Sequence, residues 1–149
     1  MPNTAAEHEI PAIQVMPQLA FRGQCRQAFE CYEQLLGGEI TVMNTFGGND
    51  AKLPPGSTAA APDQIRFAEL QIGDCAILGN DVPENEYQPM RGFHISLHVK
   101  TGSEAKRIFD ALSEGGQIET PLSEVAWSSA FGICTDRFGT PWLILALDK

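Results

Sequence analysis

Residues 93–116 read FHISLHVKTGSEAKRIFDALSEGG. Phe93, Ile95, Leu97 and Val99 alternate with His94, Ser96, His98 and Lys100, the period of a strand with one apolar and one polar face. Thr101-Gly102-Ser103-Glu104 has the spacing of a capping box, which supplies partners for the orphan amides of a helix start. Ala105, Ile108, Phe109 and Leu112 then recur as the apolar stripe of an amphipathic helix, and Gly115-Gly116 stops it.

The same order stands upstream. Ile13, Val15, Leu19 and Phe21 share one parity against Gln14, Gln18 and Arg22, a strand interrupted by Pro17, which favours an edge or a bulge. Cys25, Ala28, Phe29, Tyr32, Leu35 and Leu36 follow helical spacing up to Gly37-Gly38. Glu39 to Phe46 is strand-like, and 47–62, rich in Gly, Pro, Ala and Ser, is a long loop. Gln64 to Ile72 and Cys75 to Leu78 read as strands joined by a tight Gly73-Asp74 turn. After the second helix, strands are expected over 117–120, 130–136 and 142–147.

The two halves overlay. In the helices Ala28 falls on Ala105, Tyr32 on Phe109, Leu35 on Leu112 and Gly38 on Gly115. In the later hairpins Phe67 falls on Ile133, Gly73 on Gly139 and Ile77 on Leu143, the smaller offset reflecting the longer loop of the first half. The expected fold is α+β: two βαβββ modules, about 10–80 and 92–149, joined by a linker over 81–91, in one domain after a tail at 1–9. Each module leaves one sheet face uncovered by its helix. Two such faces, curled together, make a cup of the kind that binds small molecules.

The 149 residues carry a formal net charge of -9 with no basic run, which argues against a nucleic-acid partner. No apolar stretch reaches the ~18 residues of a membrane helix, and residues 1–9 lack the features of a secretory signal, so a cytoplasmic protein is expected. Cys25, Cys31, Cys75 and Cys134 form no CxxC pair and read as reduced structural thiols.

The run from Leu19 to Tyr32, continuing to Leu35-Leu-Gly-Gly38, resembles the opening strand and helix of the vicinal-oxygen-chelate superfamily. That superfamily includes glyoxalase I, bleomycin- and fosfomycin-resistance proteins and extradiol dioxygenases. Trp127 to Phe131, Asp136-Arg-Phe-Gly139 and Pro141-Trp142 resemble its PhnB-like branch, and the likeness runs from about Gln14 onward. It implies a cupped mixed sheet, a small-molecule ligand and a homodimer. Some PhnB-like proteins are described as ubiquinone-pathway methyltransferases, but no glycine-rich strand-to-helix turn suited to S-adenosylmethionine is visible here.

Metal-using members place one ligand on the first and one on the last strand of each module, drawn from His, Gln and Glu. By that resemblance Gln18 and His94 occupy the two first-strand positions, both on the polar parity. The last-strand positions fall near Ile77 or Leu78 and near Leu143, which cannot ligate a cation. The expectation is a cup without a firmly bound metal or other cofactor. The alternative is a metal-dependent lyase, isomerase or dioxygenase whose divalent ion is held by Gln18, His94 and an acid such as Asp81 or Glu124. Aromatic groups pack flat or cationic ligands well, and Trp127, Trp142 and Phe46 complete the expected ligand-binding set.

Overall fold

A computed structural model describes residues 12–48 and 53–149. The tail at 1–9 and positions 49–52 of the long loop lie outside the described residues.

Strand β1 (Gln18–Phe21) is followed by helix α1 (Cys25–Leu36) and strands β2 (Glu39–Thr45), β3 (Ile65–Ile72) and β4 (Cys75–Asp81). After a single 3-10 turn at Glu84–Glu86 the order repeats as β5 (Ile95–Val99), α2 (Gly102–Ser113), β6 (Gln117–Val125), β7 (Ser128–Thr135) and β8 (Pro141–Ala146). Each module forms its own four-stranded sheet, in the orders β1-β4-β3-β2 and β5-β8-β7-β6. The β1–β4 and β5–β8 pairs are parallel and the rest antiparallel. The fold class and the two-module order are those expected.

Local chemistry sets the elements. Cys25, Ala28, Phe29 and Tyr32 bury one side of α1, and Gly37 ends it at φ 71°, in the left-handed region where a side chain is penalised. In α2 the Thr101 hydroxyl accepts the Glu104 amide at 3.2 Å, which satisfies one orphan donor. The Glu104 carboxylate turns to Arg107 instead of returning to Thr101, so half of the capping box forms.

Several boundaries move. The apolar parity of Ile13 and Val15 does not bury them: both are exposed, and β1 begins only at Gln18. Strand β4 runs on through Gly79, Asn80 and Asp81, which look like turn residues in sequence. A Cβ on Gly79 would stand 2.7 Å from the Phe29 ring, so glycine is what lets α1 lie against this strand. The linker therefore starts after Asp81. In the second module β6 extends to Val125, so Glu124 lies in a strand and not on a loop.

The helix-facing sides of both sheets form the core, with Leu19, Phe21, Ile65, Leu70 and Ile77 in one module and Phe109, Leu112, Cys134 and Ile144 in the other. The modules meet through this helical side. Helix α1 contacts α2, and Tyr32 reaches from α1 into the β7–β8 loop. Its ring packs edge-on against Trp142 and Phe138. Among the described residues no strand of one sheet pairs with a strand of the other. Each module keeps one sheet face turned away from its helix, as the two-module reading expected.

Candidate functional site

On β1 and β4 the strand period sends Leu19, Phe21, Ile77 and Asp81 to the helix and leaves Gln18, Ala20, Leu78 and Asn80 on the uncovered face. Gln18 pairs in register with Leu78, and its Nε2 donates to Asn80 Oδ1 at 3.0 Å. On β3 the pairing jumps from Asn44–Phe67 to Thr45–Ile65, leaving Arg66 as the extra residue of a bulge. Arg66 and its neighbour Phe67 consequently both line the same cavity, with Gln18, Asn80 and Phe46. This cavity of about 460 Å³ is closed on one side by Leu53 and Pro54 of the long loop and bordered by Pro83 and Glu86. Its lining comes from the first module and the linker that follows it.

The second face carries His94, Ser96 and His98 from β5 and the residues before it. Leu143 and Leu145 of β8 and Phe131 and Ile133 of β7 complete it, with Trp142, Ile144 and Cys134 turned to the core. Glu119 of β6 stands beside His94, Oε2 to Nε2 at 3.7 Å, while its other oxygen accepts the Thr135 hydroxyl at 2.7 Å. His98 Nε2 lies 2.9 Å from Ser96 Oγ. Trp127, in the β6–β7 turn, is 65% exposed and meets Phe131 edge-on.

Equivalent positions can now be read from register. Leu19 pairs with Gly79 and Ile95 with Trp142, all four on the helix side, so Gly79 corresponds to Trp142 and Asn80 to Leu143. The hairpin offset used in sequence was wrong for the last strands. Residues 136–140 connect β7 to β8, where only Gly73-Asp74 connects β3 to β4. The first-module position is Asn80, an oxygen donor touching Gln18, and not Ile77 or Leu78. The second remains Leu143, which has no donor atom. Three polar groups, Gln18, Asn80 and His94, thus hold three of the four positions, divided between the two faces.

Other expected residues sit elsewhere. Trp142 is fully buried, with Nε1 donating to Asp136 Oδ2 at 2.8 Å, so it belongs to the core and lines neither face. Asp81 also turns inward: Oδ1 accepts the Cys25 amide at 2.9 Å and Oδ2 the Ile65 amide at 2.8 Å. Burial raises its pKa above the ordinary value of 3.8 despite these bonds. With both oxygens occupied by amides it is no metal ligand. Glu124 is an exposed partner of Lys149 (2.5 Å), and that contact lowers its pKa. Among the described residues no group of three His, Cys, Asp or Glu side chains is placed to share a metal ion. Sequence reading missed Arg66 and Glu119. A bulge and a cross-strand neighbour are products of register, which parity alone does not reveal.

Internal groups occupy part of each helix start. Asp81 takes the first amide of α1, the Gln64 side chain fills the space over Gly23, and Thr101 caps α2.

A family model described as 3-demethylubiquinone-9 3-methyltransferase matches residues 13–145. Protein YjdN of Escherichia coli is 33% identical over 135 residues, spanning 86% of this chain and 91% of that one. The crystal structure of PA1353 from Pseudomonas aeruginosa is 39% identical with a TM-score of 0.82, spanning 93% of this chain and all of the other. A PhnB protein from Bacillus cereus, 20% identical, shares the fold at a TM-score of 0.75 over 90% of this chain and 99% of its own. The chain therefore belongs to the 3-demethylubiquinone-9 3-methyltransferase family, and it shares its fold with a glyoxylase/bleomycin resistance protein/dioxygenase domain from Frankia sp. EAN1pec (14% identical, TM-score 0.58, spanning 94% of this chain and all of the other).

Proposed function

We propose that this protein binds a small organic molecule between its first uncovered face and the second uncovered face of another copy, as a cytoplasmic homodimer without a complete metal set. The observation that carries the reading is that each sheet has a face turned away from its helix and bearing polar groups, Gln18–Asn80 on one, beside a cavity bordered by the long loop, and His94–Glu119 on the other. Apolar exposure supports a second copy: Phe93, Ile118, Trp127 and Leu147 are 41%, 54%, 65% and 62% exposed around the second module. No helix of the described residues is long and apolar enough to cross a membrane, and all four cysteines are unpaired.

The family's description names a methyl transfer. S-adenosylmethionine does not fit either helix start, because Asp81, Gln64 and Thr101 already fill the positions where a ligand's anionic or polar groups would meet amides. No transfer step is derived. What the residues can do is hydrogen-bond a ligand through two amides, accept or donate a proton at His94, whose neighbour Glu119 is oriented by Thr135, and pack it against Phe46, Phe67 and Trp127.

The test is a ligand panel read by Trp127 fluorescence, since Trp142 is sealed in the core. A saturable change with at least one compound class, lost in Trp127→Phe, is expected. No response across the panel contradicts the reading. The His94–Glu119 contact favours one second reading, a metal-dependent lyase, isomerase or dioxygenase using Gln18, Asn80 and His94 with Glu119 as the acid. Titration of the chelator-free protein with Ni, Zn, Fe and Mn decides it: uptake of one ion per site, lost in His94→Ala, supports it, and no uptake sinks it.

A further inference from the structure

We infer that the cavity on the first module takes an organic anion, a carboxylate or a phosphonate on a flat body, with Arg66 as the residue that selects it. This rests on the small-molecule reading above and adds the ligand's chemical class.

The bulge in β3 is the starting point. It places Arg66 and Phe67, consecutive in sequence, on the same cavity wall, where a regular strand would send one of them into the core. Arg66 Nε is cut off from solvent and has no hydrogen-bond partner. A buried N–H without an acceptor opposes folding, and such a group persists where a ligand or a water satisfies it. Among the described residues no carboxylate lies within ion-pair distance of the Arg66 guanidinium, in a chain whose formal charge is -9. The neighbouring acids are engaged or peripheral. Asp81 gives both oxygens to backbone amides, Glu84 holds Arg22, and Glu86 stands exposed at the rim.

The remaining walls define the ligand's body. Phe46 and Phe67 offer apolar ring surface, and the Gln18–Asn80 pair offers two amide N–H groups and one amide oxygen beyond their mutual bond and the Asn80 bond to the Asp81 carbonyl. A guanidinium presents a planar fork that matches two oxygens of a carboxylate or phosphonate, and the fork gives selectivity that a point charge lacks. A volume of about 460 Å³ suits a molecule of drug or metabolite size.

The experiment is an amide NMR titration of the full-length chain with benzoate, phenylphosphonate and the neutral isostere benzamide. The expected result is that both anions shift amides of β1, β3 and β4 and bind at least about tenfold more tightly than benzamide. Arg66→Gln should erase that preference, bringing both anions to the affinity of benzamide, and Arg66→Lys should keep part of it. Arg66 is only half-buried, so dispersed spectra are expected for both variants; if Arg66→Gln fails to fold, the benzoate–benzamide comparison on the unaltered chain and the lysine variant decide. Benzamide binding these strands as tightly as the anions, or anions shifting only amides near Arg107 and Arg137, would overturn the anion assignment and leave the cup standing. No shift of first-sheet amides with any probe would overturn both.

Discussion

Asp81 and Cys25 show how a single residue's surroundings decide its role. The Asp81 carboxylate joins β4 to the start of α1 and to β3 through two amide bonds. Asparagine can accept only one of those bonds, so Asp81→Asn is expected to lower stability by about 1–3 kcal/mol in chemical denaturation. Because the folded-state pKa of Asp81 is raised, its contribution is fully present below the ordinary carboxylate value and falls as pH rises through the folded one. The gap between the unaltered chain and Asp81→Asn should therefore narrow as pH is raised through that window; a gap that widens would refute the assignment. Burial pushes the Cys25 and Cys134 thiols up as well, while Cys75 is exposed. In native protein at pH 8 a thiol reagent should label Cys75 first and reach Cys25 and Cys134 only on unfolding, as peptide mapping will show. Equal rates at all these thiols would be inconsistent with this burial. The sequence reading of all four as reduced structural thiols fits the burial of Cys25 and Cys134 but not the exposure of Cys75. The role of Asp81 was not legible, because an acid at a strand end looks like a turn residue until its partners are folded around it.

Among the elements, β4 and the β7–β8 loop hold the most information. Gly79 was legible only as a turn signal, whereas its place under Phe29 makes it part of a packed strand. Gly79→Val should cost about 1–3 kcal/mol through overpacking, measured as a lowered denaturation midpoint. An unchanged midpoint would mean the helix can retreat from the strand. Asp136 in the loop accepts four bonds, from Tyr32 (2.5 Å), Trp142 (2.8 Å) and the amides of Phe138 (2.8 Å) and Thr140 (3.1 Å). Burial, reinforced by that carboxylate, holds the Tyr32 phenol well above its usual range, so it stays a donor. Tyr32→Phe should cost about 1–3 kcal/mol and loosen one module against the other, visible as faster hydrogen exchange in α1 and β8. Exchange confined to the mutated turn would place the junction elsewhere. Trp142 stands among the expected ligand groups because aromatic residues suit cups, while its apolar strand also suits a core residue; the parity shared with Ile144 and Ala146 turns it inward, and its bond to Asp136, which no spacing rule contains, satisfies the indole N–H there. Strand and helix order, by contrast, were legible, since alternation in 93–99 and the apolar stripe in 105–112 need no tertiary information.

At the scale of the molecule, the repeat predicted two modules and the fold has them, but their mutual arrangement was not in the pattern. Binary patterning says which face of each sheet is apolar toward its helix. It does not say whether the leftover faces meet within a chain, and here the helical sides meet instead. The polar groups of the candidate site are consequently divided, Gln18, Asn80 and Arg66 on one face and His94 and Glu119 on the other. The proposed site would be completed by a second copy, and Trp127 and Ile118 are exposed on the second module, where such a copy could cover them. The most direct measurement is sedimentation velocity of the full-length chain at tens of micromolar. A single species of twice 16.2 kDa is expected, shifting toward the monomer in Trp127→Glu. A 16.2 kDa monomer throughout that range would contradict the two-chain site.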